Sequence, residues 1–428
     1  MDDYKMQIYN KYKIEIFIFL LAFGLRFLYA ILVLFFFGEH GFIAHSDAFS
    51  FYLRGAENLI NHHIFSLNTN PPYMPDAYRT PLYTFFVAGF LWLKLPLISV
   101  IFLQNIMAGL ISVFIYRIGR LLGFPYGVNL FAAVLTALEP ASIYWGNLLM
   151  SDYLFAFLFV WSVYEFFMAR YYLFSLLLGL ATLTRPTSLY FFPLFLLVML
   201  LRKISLNKII LAFLVFFIVL FPWLLRNKIV FDTWDLTSAS WYNLYGILAQ
   251  KFAYDQNFIL SRPALPANYP NPQTFAYDPA NTPFYKQHFW EIVKARPWAY
   301  AKFHTTLAVK SRFVNYYQIL ADYVIKAKFP ALAYGVPSIV LNGAVVVAWG
   351  GWILLYILML ISFFEKSRRT HLLAFSGMVA VIMFTAGSTG SFGADGSRFI
   401  LPLQPFMFLF AAGGFNFIYN RLKYVFAQ

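Results

Sequence analysis

Long apolar runs separated by short polar stretches fill most of the chain, at about 14–37, 97–116, 122–145, 153–169, 171–184, 187–201, 207–225, 336–364, 371–389 and 399–418. A helix needs roughly 20 apolar residues to cross a hydrocarbon core, so the pattern predicts an all-α polytopic protein with about 10 transmembrane helices, or 11. One further run, Pro81–Leu95, starts at a proline and is followed by another. It covers only about half a span, which predicts an interfacial helix. Met1–Lys13 is polar and lysine-bearing, and the run behind it has no small-residue cleavage site, so that run is expected to stay as the first span.

Composition agrees with this reading. Of 428 residues, 61% are hydrophobic and 12% charged, with mean hydropathy +0.66, a balance that a bilayer absorbs and a soluble core does not. The formal charge of +14 comes from basic residues dispersed between apolar runs, with no aromatic-interleaved basic domain, so no nucleic-acid partner is expected. The absence of cysteine excludes disulfides, a thiol nucleophile and cysteine-ligated metal.

Charge sets the orientation. With the N-terminus in the cytoplasm, the inner loops receive Arg117 and Arg120, Arg170, Arg202, Lys203 and Lys208, Lys366, Arg368 and Arg369, and Arg421 and Lys423, as the positive-inside bias requires. The outer face then carries two large loops, 38–96 and 226–335, and shorter turns at Asp152, Arg185 and Gly387–Arg398. Six scattered ionisable residues, Asp47, Arg79, Asp152, Arg185, Arg226 and Arg398, meet on that side. The expected layout is a transmembrane module over 1–225, an outer loop with interfacial helices over 226–335, and C-terminal spans over 336–428.

Each of the six has a plain reading and a chemical one. Asp47 precedes Phe49, Tyr52, Leu53, Ala56, Leu59 and Ile60, apolar at helical spacing with Arg54, Glu57 and Asn58 opposite, so it is either a helix N-cap or a base at the membrane surface. Arg79 lies in a stiff stretch framed by Pro71, Pro72, Pro75 and Pro81, as a snorkelling residue or a phosphate ligand. Asp152 is a solvated helix cap or a functional acid. Arg185, Arg226 and Arg398 stand outside against the charge bias, and a shared anionic ligand explains several such arginines together. Arg26, near the middle of the first span, requires a partner there, either an acid or a bound lipid head group. The histidines show no HExxH or comparable metal spacing, and there is no P-loop, GxSxG or dinucleotide fingerprint.

At these residues the chain resembles the GT-C superfamily of membrane glycosyltransferases, in the bacterial branch similar to protein O-mannosyltransferases and the lipid A aminoarabinose transferase. The marks are Asp47 followed by Tyr52, Tyr78-Arg79-Thr-Pro-Leu-Tyr83, the acid after Asn147, Thr184-Arg185-Pro186, Pro222-Trp223 with Arg226-Asn227, Asn243-Leu-Tyr245, and Ser397-Arg398-Phe with Pro402 and Pro405. They run over nearly the whole chain. The resemblance implies a GT-C-type bundle and inverting transfer of a sugar from a polyprenyl-phosphate carrier to a protein, lipid or glycan acceptor outside a bacterial inner membrane. It further implies Asp47 as base, Asp152 as second acid, Arg79, Arg185, Arg226 and Arg398 toward the phosphate, and Tyr52, Tyr83, Asn243 and Tyr245 in the substrate pocket. A divalent metal occurs in some relatives, for which Asp152 is the possible ligand. The competing readings are a lipid or polysaccharide transporter, which requires charges deeper in several helices, and an oligosaccharide ligase or polymerase fed by a lipid-linked donor.

Overall fold

The computed structural model describes residues 2–255, 278–310, 338–364, 375–379 and 398–426. Most of the expected span at 371–389, the turn ahead of Arg398, and residues 256–277 and 311–335 of the loop expected over 226–335 fall outside the described residues. Every regular element described is helical. In order these are α1 (Asp2–Phe37), α2 (Arg54–His62), α3 (Leu82–Trp92), α4 (Leu97–Leu121), α5 (Tyr126–Leu138), α6 (Pro140–Gly146), α7 (Ser151–Phe167) and α8 (Tyr171–Thr184). There follow α9 (Phe192–Leu201), α10 (Leu206–Phe231), α11 (Ala239–Tyr242), α12 (Gln250–Asp255), α13 (Thr282–Ala295), α14 (Pro297–Lys310), α15 (Ser338–Ile361) and α16 (Gln404–Phe426).

Among the described residues three helical stretches are long and apolar enough to cross a membrane, Tyr12–Ile43, α4 and α10, and the bent pair α5–α6 makes a fourth. Shorter apolar helices stand beside them, α3, α8, Pro186–Leu201 and Gly350–Ile361. Several runs expected as spans therefore fold into helices of less than full crossing length; α8, with its 14 residues, is about 21 Å long. The outward faces match an apolar surround: Phe35 on α1 is 79% exposed and Ile218 on α10 is 67% exposed.

Helix direction alternates about the site described below. Asp47 follows the end of α1 and Arg185 the end of α8, whereas Asp152 opens α7 and Arg398 lies just ahead of α16. Arg117 of α4 pairs with the buried Glu15 of α1, and Glu165 near the end of α7 pairs with Arg170. Glu165 stands about 20 Å along α7 from Asp152, and Glu15 about 33 Å along α1 from its end at Phe37, at 1.5 Å per residue. These two ion pairs and the site thus occupy opposite ends of the bundle.

The run expected as one span at 122–145 is broken: α5 and α6 meet at 51° around Glu139 and Pro140. Pro140 has no N–H to give the carbonyl of Thr136, and its ring crowds that carbonyl, so the helix cannot continue. Both new ends are satisfied. The Glu139 carboxylate accepts the N–H groups of Ala141, at 3.2 Å, and Ser142. Arg26 serves the other end, its Nη1 donating to Ala137 O at 2.8 Å and Ala22 O at 3.1 Å, and its Nη2 to Thr136 O at 3.2 Å and Ser142 Oγ at 2.6 Å. Its Nε donates to Tyr153 OH at 3.3 Å. The expected partner, an acid or a lipid head group, is replaced by protein carbonyls and hydroxyls that take all five guanidinium N–H groups.

The first outer loop departs from the expected face. A π-helical turn, Ala48–Leu53, precedes α2, and its wider winding turns Phe49 outward and buries Phe51. Asn58, expected on the polar side, is buried and donates to Ser66 O and Asn68 O.

At the crossing of α15 and α16, a Cβ on Gly414 would lie 1.9 Å from Leu358 O, whereas one on Gly350 would meet nothing within 4 Å. Gly414→Ala is expected to cost about 1–3 kcal/mol by forcing the helices apart. Thermal unfolding of the purified protein should show a lowered Tm for Gly414→Ala and an unchanged one for Gly350→Ala.

Candidate functional site

A short strap, residues 76–80, organises the end of the bundle where α1 and α8 finish and α7 begins. Asp76 folds it locally, its Oδ1 accepting the Tyr78 N–H at 2.6 Å while its own N–H donates to Phe65 O at 2.9 Å. Three distant segments then fasten the strap. Arg226 at the end of α10 donates to Asp76 O at 2.7 Å, Ser238 N–H donates to Ala77 O at 3.1 Å, and the Thr237 hydroxyl donates to Tyr78 O. The Thr80 hydroxyl donates to Thr184 O at 2.8 Å, one residue before Arg185. Arg79 is thereby held in register with Arg185.

Arg79 and Arg398 both grip one oxygen of Asp47: their Nη2 atoms lie 3.1 Å and 3.0 Å from Oδ2. The Asp47 side chain makes no helix-capping bond, so the N-cap reading fails, and Arg79 spreads over Phe51 at 4.3 Å instead of snorkelling. Burial acts to raise the Asp47 carboxyl, but Arg79, Arg398 and His45 outweigh it and hold the group well below the usual carboxylate range. His45 Nδ1 accepts the Asp47 N–H at 3.1 Å, and its ring meets Trp145 edge-on at 5.7 Å.

The second centre begins at the first turn of α7. Asp152 Oδ2 receives Arg185 Nη2 at 2.8 Å, with the Asp152 side chain fully buried, so the solvated-cap reading fails as well. Arg185 Nε donates to Ser151 Oγ at 3.0 Å, and that hydroxyl shares a hydrogen bond of 2.7 Å with Tyr52 OH. Tyr52 packs edge-on against Tyr83 at 4.8 Å. Tyr83 donates to Gln104 Oε1 at 2.6 Å, and Gln104 Nε2 donates to Gly146 O and Leu148 O.

Two rings join the centres. Arg185 and Arg398 each lie 5.4 Å from the Phe399 ring, and Arg79 lies 5.9 Å from the Tyr52 ring that leads to Ser151. Among the described residues the ion pairs here join three guanidiniums, Arg79, Arg185 and Arg398, to two carboxylates, Asp47 and Asp152, at the end of an apolar bundle. Such a place favours an anion with several oxygens, because the planar fork of arginine binds two of them at once.

Five of the six residues expected on one face thus converge, together with Tyr52 and Tyr83. Arg226 does not join them: it holds the strap and stacks on Trp223 at 4.7 Å and Phe231 at 5.0 Å. Asn243 and Tyr245 also lie elsewhere, in a π-helical turn, Asn243–Ala249. Tyr245 is buried among Phe284, Tyr285 and His288 of α13, in the separate apolar cluster of the outer cap. Their neighbour Tyr242 reaches the strap, with its ring 6.0 Å from Tyr78. His45, Asp76, Trp145 and Ser151 were not chosen as site residues from the sequence, although Ser151 adjoins Asp152 and His45 lies two residues before Asp47; Phe399 figured only within the Ser397-Arg398-Phe mark.

Asp152 is the residue through which the family resemblance raised a divalent metal. Its Oδ2 faces a guanidinium, and among the described residues no three His, Asp or Glu side chains gather to complete an oxygen or nitrogen shell. Compared with protein-family models, curated proteins and solved structures, the chain matches none.

Burial raises the Asp76 carboxyl from its ordinary 3.8 to about 7, against the pull of the Tyr78 N–H, Arg226 and Arg79. In this window the folded protein binds the Asp76 proton more tightly than the unfolded chain, so stability falls as pH rises from about 4 to 7 and levels off above. Melting temperatures measured across that range should decline for the parent protein and lose this slope in Asp76→Asn.

Proposed function

We propose that the protein is an inverting glycosyltransferase that moves a monosaccharide from a polyprenyl-phosphate carrier to a hydroxyl acceptor at the outer face of a bacterial inner membrane. The observation that carries this reading is the convergence of Asp47, Asp152, Arg79, Arg185 and Arg398, distant in sequence, into one cluster. On this reading the bundle is of GT-C type with about ten spans, and apolar grooves between helices take the isoprenoid tail. The acceptor is a protein, lipid or glycan.

The reaction needs a base on one side of the anomeric carbon and charge stabilisation on the other. The acceptor hydroxyl attacks that carbon as its bond to the phosphate oxygen breaks, the hydroxyl proton passes to Asp47, and polyprenyl phosphate departs carrying the electron pair. Both arginines occupy Oδ2 of Asp47, which leaves Oδ1 to receive the hydroxyl. The same arginines make resting Asp47 a weak base. A phosphate that draws Arg398 and Arg79 toward itself relaxes this hold, so Asp47 gains basicity when the donor is bound. Arg185, already tied to Asp152 and Ser151, supplies a third positive charge for the leaving group. A transporter would use charges within its spans to mark a path, but the guanidinium of Arg26 in α1 is engaged by protein groups through all five donors. That favours the enzyme.

Two outcomes are expected. Asp47→Asn should retain expression, at a lowered Tm because two guanidiniums lose their carboxylate, and lower sugar transfer about 100-fold or more, the scale of a lost general base. Normal transfer by this variant removes Asp47 from the reaction. Arg398→Gln should weaken binding of polyprenyl phosphate by about tenfold or more, whereas Arg226→Gln should affect it less, since loss of one charge-assisted hydrogen bond at the ligand carries a factor of that order. In a strain lacking the gene, mass spectrometry of membrane lipids should find one polyprenyl-phosphate monosaccharide accumulating and one glycoconjugate missing.

A further inference from the structure

We infer that Arg26 is a positioning residue, which braces the break between α5 and α6 so that the first turn of α7 presents Ser151 and Asp152 to Arg185. The reference to Arg185 as a ligand of the donor rests on the functional reading above; the brace itself does not.

Pro140 makes the break, and the break frees the carbonyls of Thr136 and Ala137 at the end of α5. Arg26 answers both, which places a cation at the negative end of that helix where the backbone dipoles favour it. The remaining donors reach onward. Nη2 binds Ser142 Oγ in α6, and Nε binds Tyr153 OH in α7. One side chain of α1 therefore ties together the last turn of α5, the first of α6 and the first of α7.

Both outward ties lead to the site. Tyr153 is the residue after Asp152, and it packs so closely on α6 that a Cβ at Gly146 would stand 2.9 Å from its ring. Ser142 lies one turn before Trp145, whose ring carries the guanidinium of Arg398 at 5.9 Å and meets His45 at 5.7 Å. Gly146 O at the end of α6 and Leu148 O just past it hold the Gln104 that orients Tyr83. A shift at Arg26 would thus reach both ion centres without touching either. The cavity beside Arg26, bordered by Tyr153, Gln404 and Phe408, measures about 20 Å³ and admits a single water, not a lipid head group. The arginine is surrounded by its own protein.

The chain has no cysteine, so one introduced thiol reports on the brace without background. Met150, fully buried and directly ahead of Ser151, is replaced in Met150→Cys, and reaction with a membrane-impermeant methanethiosulfonate is followed in nanodiscs. With Arg26 intact, labelling should be slow. Adding Tyr153→Phe, which deletes a single hydroxyl, should speed it about tenfold, the factor expected for one lost hydrogen bond to a charged group, with Tm lowered by no more than a few degrees. Arg26→Gln should speed it further, and Arg26→Lys, keeping the charge and three donors, should recover part of the protection. If Tyr153→Phe labels as slowly as its parent, the brace is overturned, whether or not Arg26→Gln folds. Binding of polyprenyl phosphate is measured on the same samples. Weaker binding in Tyr153→Phe measured well below its Tm extends the brace to the donor site, whereas faster labelling in a protein that never binds the lipid upholds the brace and overturns the donor reading.

Discussion

A guanidinium carried into an apolar bundle must be met by oxygen, and this requirement arranges the molecule more than any other. An unpaired charge in such surroundings is far costlier than an unpaired amide, so each buried arginine fixes the position of whatever answers it. Arg26 is answered by carbonyls and hydroxyls from four helical segments, Arg79 and Arg398 by one carboxylate oxygen, Arg185 by Asp152 and Ser151, and Arg226 by the carbonyl of Asp76. Each answer joins segments far apart in the chain. Asp47 and Arg398 lie 351 residues apart.

The two kinds of answer have different consequences. Where an arginine donates to backbone carbonyls, as Arg26 and Arg226 do, no acid is available to exchange with a ligand and the contact is a fixture. Where it faces a carboxylate, an incoming anion competes for the same donors, and the carboxylate it displaces becomes more basic. The Asp47 centre is of this second kind. Its two arginines reach the same oxygen, so the guanidiniums and the open side of the carboxylate sit together.

Rigidity comes from how the strap is fastened. Residues 76–80 form no helix, yet Arg226, Thr237, Ser238 and Thr184 each engage a backbone or hydroxyl group along it. The outer cap meets the strap through Tyr242 and keeps its own aromatic core around Tyr245. The division keeps the charged groups in place while the cap contributes a separate surface.

Read by itself, the chain's pattern already determined an all-helical, membrane-type protein and a shared end for Asp47, Arg79, Asp152, Arg185 and Arg398. Apolar excess dictates the first, and the second needs only the alternation of helix direction, which run order and loop charge convey. Tertiary structure decided who pairs with whom. Whether Arg226 faces Asp47 or a strap carbonyl depends on rotation about the α10 axis, and whether Tyr245 or Tyr242 approaches the strap depends on a π-helical turn, neither of which is written in hydropathy. The partners of Arg26 were beyond any inspection of side chains, since two of them are carbonyls freed only when Pro140 interrupts a run that looked continuous. Short runs such as α8 qualify as apolar by composition, but how they are covered is settled by packing against their neighbours, and that is a property of three dimensions.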